Sequence, residues 1–171
     1  MLHHQQQPEL YGCLYHSLYA LTGDPDVLEH TSDISNARFY ARLHSWGLMV
    51  ITPWADYADP DAATPRSFWE AVSSERPQPY LLTIAAERLH GHRHALAALV
   101  STTAVQISDS RHACPFTLTF QEFLDSEYAQ AHLVEQLLPA ELDAYPHEDA
   151  HFSVVQALAR DRIDPHPDLT L

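Results

Sequence analysis

The chain is poor in basic residues, and this shortage limits the partners we expect for it. Its 171 residues hold 9 Lys and Arg against 23 Asp and Glu, which gives a formal charge of −14 at pH 7. A surface of that sign repels phosphate backbones and anionic lipid headgroups. We therefore expect no nucleic-acid partner and no membrane association, whereas the same field would favour a basic partner.

Cysteine is almost absent, since Cys13 and Cys114 are the only two in the chain. Two cysteines are too few for a disulfide framework, and their spacing is not that of a zinc site. Two interpretations stay open. Either the two residues indicate a reducing interior or a catalytic thiol, or Cys13 and Cys114 form a single disulfide.

Long apolar runs and glycine are also scarce. No stretch approaches the roughly 18 apolar residues of a membrane helix, and none of about 7 to 15 residues follows residues 1–7 as in a secretory signal. We expect a cytoplasmic protein, or one delivered to another cell without a secretory signal peptide. With 4 Gly, 46% apolar residues and no repeat or linker, residues 1–171 are predicted to form one domain.

The apolar spacing predicts helices in the first half of the chain. Residues 13–21 have helical periodicity, and Gly23 is suited to a C-terminal cap. A second helix, capped by Ser32 or Asp33, is predicted to end near Gly47. Thr64 before a Pro predicts a third helix that runs to about residue 72.

Strands are predicted mainly in the second half. They cover residues 48–52, 80–85, 95–101 and 104–108, the last two as a hairpin, with 116–119 as an edge strand. Helical periodicity returns over residues 120–128 and again over 151–159. Helices, then an antiparallel sheet, then helices predict an α+β fold.

Cys13 is the first residue of the first predicted helix, and this position favours a catalytic role for its thiol. The unpaired N–H groups and the dipole at a helix N-terminus stabilise a thiolate, which raises the nucleophilicity of the cysteine at neutral pH. The alternative is a buried cysteine that acts only as a small apolar residue. Gly12, directly before it, would let a substrate backbone approach the sulfur.

A base for this thiol is available at His94, which opens an apolar strand. Asp109 ends the next strand, so the predicted hairpin would bring its carboxylate to His94 and fix the imidazole tautomer. Alternatively, Asp109 caps a turn, and His90, His92 and His94 form a solvated loop or an adventitious metal site. No carboxylate or thiol at close spacing completes a coordination shell, so we expect no metal and no cofactor.

A further residue, Gln7, precedes Cys13 by six positions. With Cys13 opening a helix, His94 heading a strand, Asp109 closing the next and residues 117–123 following, the chain resembles the papain-like family of bacteriocin-processing, double-glycine leader peptidases and its stand-alone relatives. The resemblance covers residues 7 to about 123. It implies a papain-like fold, in which N-terminal helices, including a central catalytic helix, pack on an antiparallel sheet.

The resemblance also implies the roles of the four residues. Cys13 would attack as a thiolate, His94 would transfer protons, Asp109 would orient His94, and Gln7 would be an oxyanion donor. One of three consecutive Gln residues could, however, have this spacing by chance.

The sequence departs from that family in two ways. Leu14 follows the nucleophile where the family commonly has Gly, and we expect no transporter or ATP-binding segment within residues 1–171. We therefore expect a cysteine peptidase-like hydrolase that acts through an acyl-enzyme on a peptide or protein substrate, with basic substrates preferred. Alternatives on the same scaffold are an isopeptidase, a deamidase, an acyltransferase and an inactive binding module.

Overall fold

Helices and an antiparallel sheet make up the described part of the chain. The computed structural model describes residues 2–8, 11–55, 62–85 and 93–140. In chain order the elements are helix α1 (Cys13–Thr22), a 3₁₀-helix (Pro25–His30), helix α2 (Asn36–Ser45), strand β1 (Leu48–Ala55), helix α3 (Arg66–Val72), strands β2 (Gln78–Ala85), β3 (Arg93–Val100), β4 (Val105–Ser108) and β5 (Phe116–Leu118), helix α4 (Phe120–Leu124), a second 3₁₀-helix (Glu127–Gln130) and strand β6 (Leu133–Pro139). The predicted helix at 151–159 lies outside the described residues.

The six strands form one sheet in the order β1-β6-β2-β3-β4-β5, and every pair is antiparallel. The mixed helix-and-sheet class and the hairpin of β3 and β4 are confirmed, and β5 lies at an edge as predicted. Within the described ranges, no helix combines the length and the apolar character needed to cross a bilayer.

Each face of the sheet is covered by helices. The side chains of β3 alternate between the two faces and contact different helices on each. Ala97 and Leu99 pack with α1 and α2 in one apolar cluster, whereas Leu96, Ala98 and Val100 pack with α3 and α4 in another. Successive side chains of a strand point to opposite faces, so a strand covered on both sides is apolar throughout. The helix that begins at Cys13 therefore lies on one defined face of the central strands.

Three local predictions were wrong. Strand β6 was missed, although it lies between β1 and β2 in the sheet. Ser35, rather than Ser32 or Asp33, caps α2, because its side chain accepts a hydrogen bond from the backbone N–H of Arg38. Thr64 does not cap α3. Its hydroxyl donates to the carbonyl of Ala131, and the helix begins at Arg66.

Strand β6 buries a carboxylate beneath helix α2. Glu135 is 4% exposed, and its Oε1 accepts a hydrogen bond of 2.7 Å from the hydroxyl of Tyr40. Burial raises the pKa of Glu135, and the hydrogen bond from Tyr40 offsets this only in part. Because the folded-state pKa is raised, the ionised carboxylate destabilises the fold at pH values above it.

We expect Glu135→Gln to stabilise the protein at pH 8, because Gln keeps an acceptor for Tyr40 but carries no charge. The gain in the free energy of unfolding should shrink as pH falls through the raised pKa of Glu135, because the wild-type side chain then becomes uncharged as well. Urea unfolding at several pH values measures this. The control is Glu29→Gln, at an exposed position, which should show no such trend. A gain that does not change with pH would contradict the prediction.

Candidate active site

Cys13 is the first residue of α1, and the turn before it requires glycine. Gly12 has a φ of 94°, in the left-handed region that side chains rarely adopt. A Cβ added there would lie 2.6 Å from the carbonyl oxygen of Thr31. Gly12 thus has a structural role in addition to the access that the sequence suggested, since it sets the direction in which the chain enters the helix.

The hairpin of β3 and β4 brings His94 and Asp109 together. His94 is the second residue of β3, and Asp109 follows the last residue of β4. The Nε2 atom of His94 donates to Oδ1 of Asp109 over 2.7 Å, since an ionised carboxylate can only accept. Asp109 has no exposed surface. The imidazole therefore has a fixed tautomer and orientation.

The side chain of His94 lies close enough to the Cys13 thiol for each to shift the pKa of the other. Because Nε2 is engaged by Asp109, Nδ1 is the ring nitrogen left to exchange a proton with the thiol. His94 thus lies between the thiol and the carboxylate. We refer to Cys13, His94 and Asp109 together as the series. The structure brings together three of the four residues singled out in the sequence, and their catalytic roles stay predictions.

The pKa values of this series favour a charged pair. Burial alone would raise the pKa of the Cys13 thiol, but hydrogen bonds with His94 and with the backbone N–H of Ala95 outweigh it, and the pKa is lowered. Burial alone would lower the pKa of His94, but its bonds to Asp109 and Cys13 outweigh that, and the pKa is raised. Both directions favour thiolate and imidazolium.

The carboxylate of Asp109 has two further partners that the sequence did not reveal. The guanidinium of Arg111 donates to both carboxylate oxygens, with Nη2 2.6 Å from Oδ2, and the hydroxyl of Tyr128 lies 3.3 Å from Oδ2. Burial would raise the pKa of Asp109, but the bonds from His94 and Arg111 reverse this and hold it well below its usual range. An Arg two residues after a candidate catalytic Asp was the available signal.

Gln7 lies against the turn that follows Asp109. Its backbone N–H donates to the carbonyl of Ser110, and its Oε1 accepts from the hydroxyl of Ser110, both over 2.8 Å. Its Nε2 donates over 2.8 Å to the carbonyl of Tyr11, two residues before Cys13. One N–H of the amide is thus used by Tyr11, and the oxyanion role requires the second. That role stays a prediction.

The rest of residues 2–8 is fixed by contacts that the sequence did not predict. Leu2 is buried in the core, and the backbone N–H of His3 donates to the carbonyl of Ala20 in α1. The Nε2 of His4 donates to the carbonyl of His112, and its Nδ1 accepts from the hydroxyl of Ser108, both over 2.8 Å. The segment that carries Gln7 is therefore part of the fold.

A cleft of about 500 Å³ opens beside the thiol. Its walls are the start of α1, the start of α2 with the loop before it, and the start of β3. Tyr11 and Ile34 line it and are 52% and 71% exposed, so apolar surface flanks the nucleophile. Asp33, the acidic residue of the lining, is paired with Arg42 at 2.7 Å and lies 3.8 Å from Arg38.

Cys114 lies apart from the series. It is exposed, and both cysteines are free, so the Cys13–Cys114 disulfide considered from the sequence is wrong. In the part of the chain that the structure describes, no group of three or more His, Cys, Asp and Glu is arranged to hold a metal ion. His90 and His92 lie outside the described residues.

Neither a scan against models of known protein families nor a search of curated proteins finds a match to this chain. The resemblance drawn from the residues therefore stays a prediction.

We expect iodoacetamide to label Cys13 before Cys114 at pH 6 to 7, by roughly tenfold or more in rate. Exposure alone would favour Cys114, so only thiolate at Cys13 gives this order. His94→Ala should remove the preference, because the hydrogen bond that lowers the pKa of Cys13 is lost. Peptide mass spectrometry over a time course measures both rates. Faster labelling of Cys114 in the wild type would contradict an activated thiol.

Proposed function

We propose that this chain is a papain-like cysteine hydrolase that cleaves an amide bond in a peptide or protein through an acyl-enzyme. The observation that carries the proposal is the position of His94, which is hydrogen-bonded to the buried carboxylate of Asp109 and lines the same cleft as the Cys13 thiol, whose pKa it lowers. A cleft opens beside this series. Nucleophile, base and orienting group in hydrogen-bond contact are the arrangement that covalent catalysis requires.

The proposed reaction begins with attack of the Cys13 thiolate on the substrate carbonyl carbon. The carbonyl π electrons move to oxygen, and the backbone N–H of Cys13 and the amide of Gln7 would stabilise the resulting oxyanion. As the tetrahedral intermediate collapses, the imidazolium of His94 gives its Nδ1 proton to the leaving amine. A thioester on Cys13 and neutral His94 result.

Hydrolysis of the thioester returns the site to its starting state. Neutral His94 takes a proton from water as the oxygen attacks the acyl carbon, and the C–S bond then breaks. The product carboxylic acid leaves, and thiolate and imidazolium are restored. Throughout both steps Asp109 keeps Nε2 protonated, so Nδ1 is the nitrogen that exchanges protons.

The fold supports the papain-like part of the proposal. Helix α1 begins at the candidate nucleophile and packs against the antiparallel sheet through Leu18 and Leu21. The candidate base and its acid come from adjacent strands of the same sheet. A catalytic helix against strands that supply the base is the arrangement that the resemblance implies.

The electrostatics support an enzyme rather than an inactive binding module. Three ionisable groups, Cys13, His94 and Asp109, are buried or partly buried with His94 between the other two, and burial opposes the charged form of each. Such a cluster has no evident value for stability, since apolar residues of similar volume often stabilise a core as well or better. Perturbed titratable groups beside a cleft are typical of functional sites.

Substrate charge belongs to the proposal as well. The field of a chain with a charge of −14 would speed encounter with basic substrates. Asp33, the acidic residue of the cleft lining, is however paired with Arg42 and lies near Arg38, so its charge is offset. We therefore assign the basic preference to long-range steering, which salt screens, and not to a contact in the cleft.

Cys13→Ala should abolish hydrolysis, by roughly 10⁴-fold or more in kcat, because the acyl-enzyme cannot form. Cys114→Ala, the matched control, should keep wild-type activity. The assay follows amine release from a library of peptide amides, and mass spectrometry of acid-quenched wild-type enzyme should show an acyl group on Cys13. Equal loss from both substitutions, or an acyl group elsewhere, would overturn the assignment.

Gln7→Ala should lower kcat by roughly 100-fold with little change in KM, because the amide acts only as charge develops on the oxyanion. Gln5 and Gln6 are exposed neighbours, and their Ala variants should be near neutral. Steady-state kinetics on one substrate separates the cases. Similar behaviour of all three variants would place Gln7 outside the chemistry.

A further inference from the structure

Asp109 has several hydrogen bonds besides the one with His94. The backbone N–H of Arg111 donates to Oδ1 over 3.0 Å, and the side-chain Nε lies 3.0 Å from each carboxylate oxygen. The Nη2 atom donates to Oδ2 over 2.6 Å. Arg111 thus makes a bidentate contact with Asp109 within the same turn. The hydroxyl of Tyr128, in the second 3₁₀-helix, also lies near Oδ2.

We propose that Arg111 is a positioning residue of this site: its guanidinium fixes the Asp109 carboxylate toward His94, and its positive charge sets the pH range over which Cys13 is reactive. The inference rests on the proposed function, because it concerns the same series of residues. The hydrogen bonds of the Arg111 side chain go to Asp109 and Glu127, so it acts on the thiol and the imidazole through Asp109.

Geometry is the first reason. The planar guanidinium matches a carboxylate through two parallel hydrogen bonds, which restrict rotation of the carboxylate, whereas an ammonium group would restrict it less. With both oxygens engaged by Arg111, Oδ1 can meet His94 in one orientation only. The angle of the imidazole toward the thiol then follows from the side chain of Arg111.

Charge is the second reason. Asp109 has no exposed surface and faces two cations, Arg111 and the imidazolium form of His94. An opposite charge at this distance favours the ionised carboxylate. The charged and titratable groups that face Asp109 directly are His94 of β3, Arg111 and His112 of the turn, and Tyr128 of the second 3₁₀-helix. Two more act through these: Glu127 through Arg111, and Cys13 of α1 through His94.

The sign of the effect follows from removing one positive charge. Without Arg111, protonation of every nearby group becomes easier, so the pKa values of Asp109, His94 and Cys13 all rise. The pH at which Cys13 becomes reactive should therefore move upward. A residue that only stabilised the fold would lower thermal stability and leave this midpoint where it is.

The test is the pH profile of Cys13 alkylation by iodoacetamide, read by mass spectrometry on the full chain. Arg111→Gln should raise the midpoint by roughly 0.5 to 1 pH unit. Arg111→Lys keeps the charge and should leave the midpoint near that of the wild type. The matched control is Arg66→Gln, which removes an arginine of similar exposure that is paired with Asp125. It should not shift the profile.

A midpoint for Arg111→Gln equal to that of Arg66→Gln would overturn the proposal. If Arg111→Gln does not fold, Arg111→Lys decides alone. In this variant the Nε2 proton of His94, followed by its far-downfield NMR resonance, should exchange faster with solvent, because Lys cannot hydrogen-bond both carboxylate oxygens in the same fixed geometry. An unchanged exchange rate would overturn the proposal. A wild-type Cys13 that reacts no faster than Cys114 would instead contradict the proposed function.

Discussion

The buried charge of Asp109 is the constraint on which the site depends. A carboxylate with no exposed surface destabilises a fold unless cations and donors meet it there. Strand β3 supplies His94, the turn supplies Arg111, and the second 3₁₀-helix supplies Tyr128. All three segments must lie close to Asp109 to supply its hydrogen-bond partners. The geometry around the imidazole is therefore also needed for folding.

The turn at residues 108–112 extends this constraint to the start of the chain. Ser108 and His112 hold His4, while Ser110 holds Gln7 through its hydroxyl and its carbonyl. The same short stretch thus contains Arg111, which orients Asp109, and the residues that fix the segment carrying the candidate oxyanion donor. A change in this turn would alter both ends of the site together, and a loss of activity from such a change could not be assigned to one of them alone.

Periodicity and cap residues predicted helix α1 and the hairpin of β3 and β4, because local apolar spacing determines both. Strand β6 was beyond such reasoning. Its central residues Glu135 and Gln136 are polar yet buried, and the partners that make this tolerable, Tyr40 and Gln78, are distant in the sequence. Tertiary pairing overrides local pattern there. The contact of Arg111 with Asp109, by contrast, spans only two residues of the sequence.

The charges in the site depend on one another. Burial opposes ionisation of Cys13, His94 and Asp109 alike, and each is offset mainly by a hydrogen bond to the next member. Loss of one charge removes the compensation of its neighbour, so the free-energy effects of substitutions within the series should not add. The charged state is therefore a property of the whole series, and Arg111, at the end away from the thiol, is coupled to Cys13 through it.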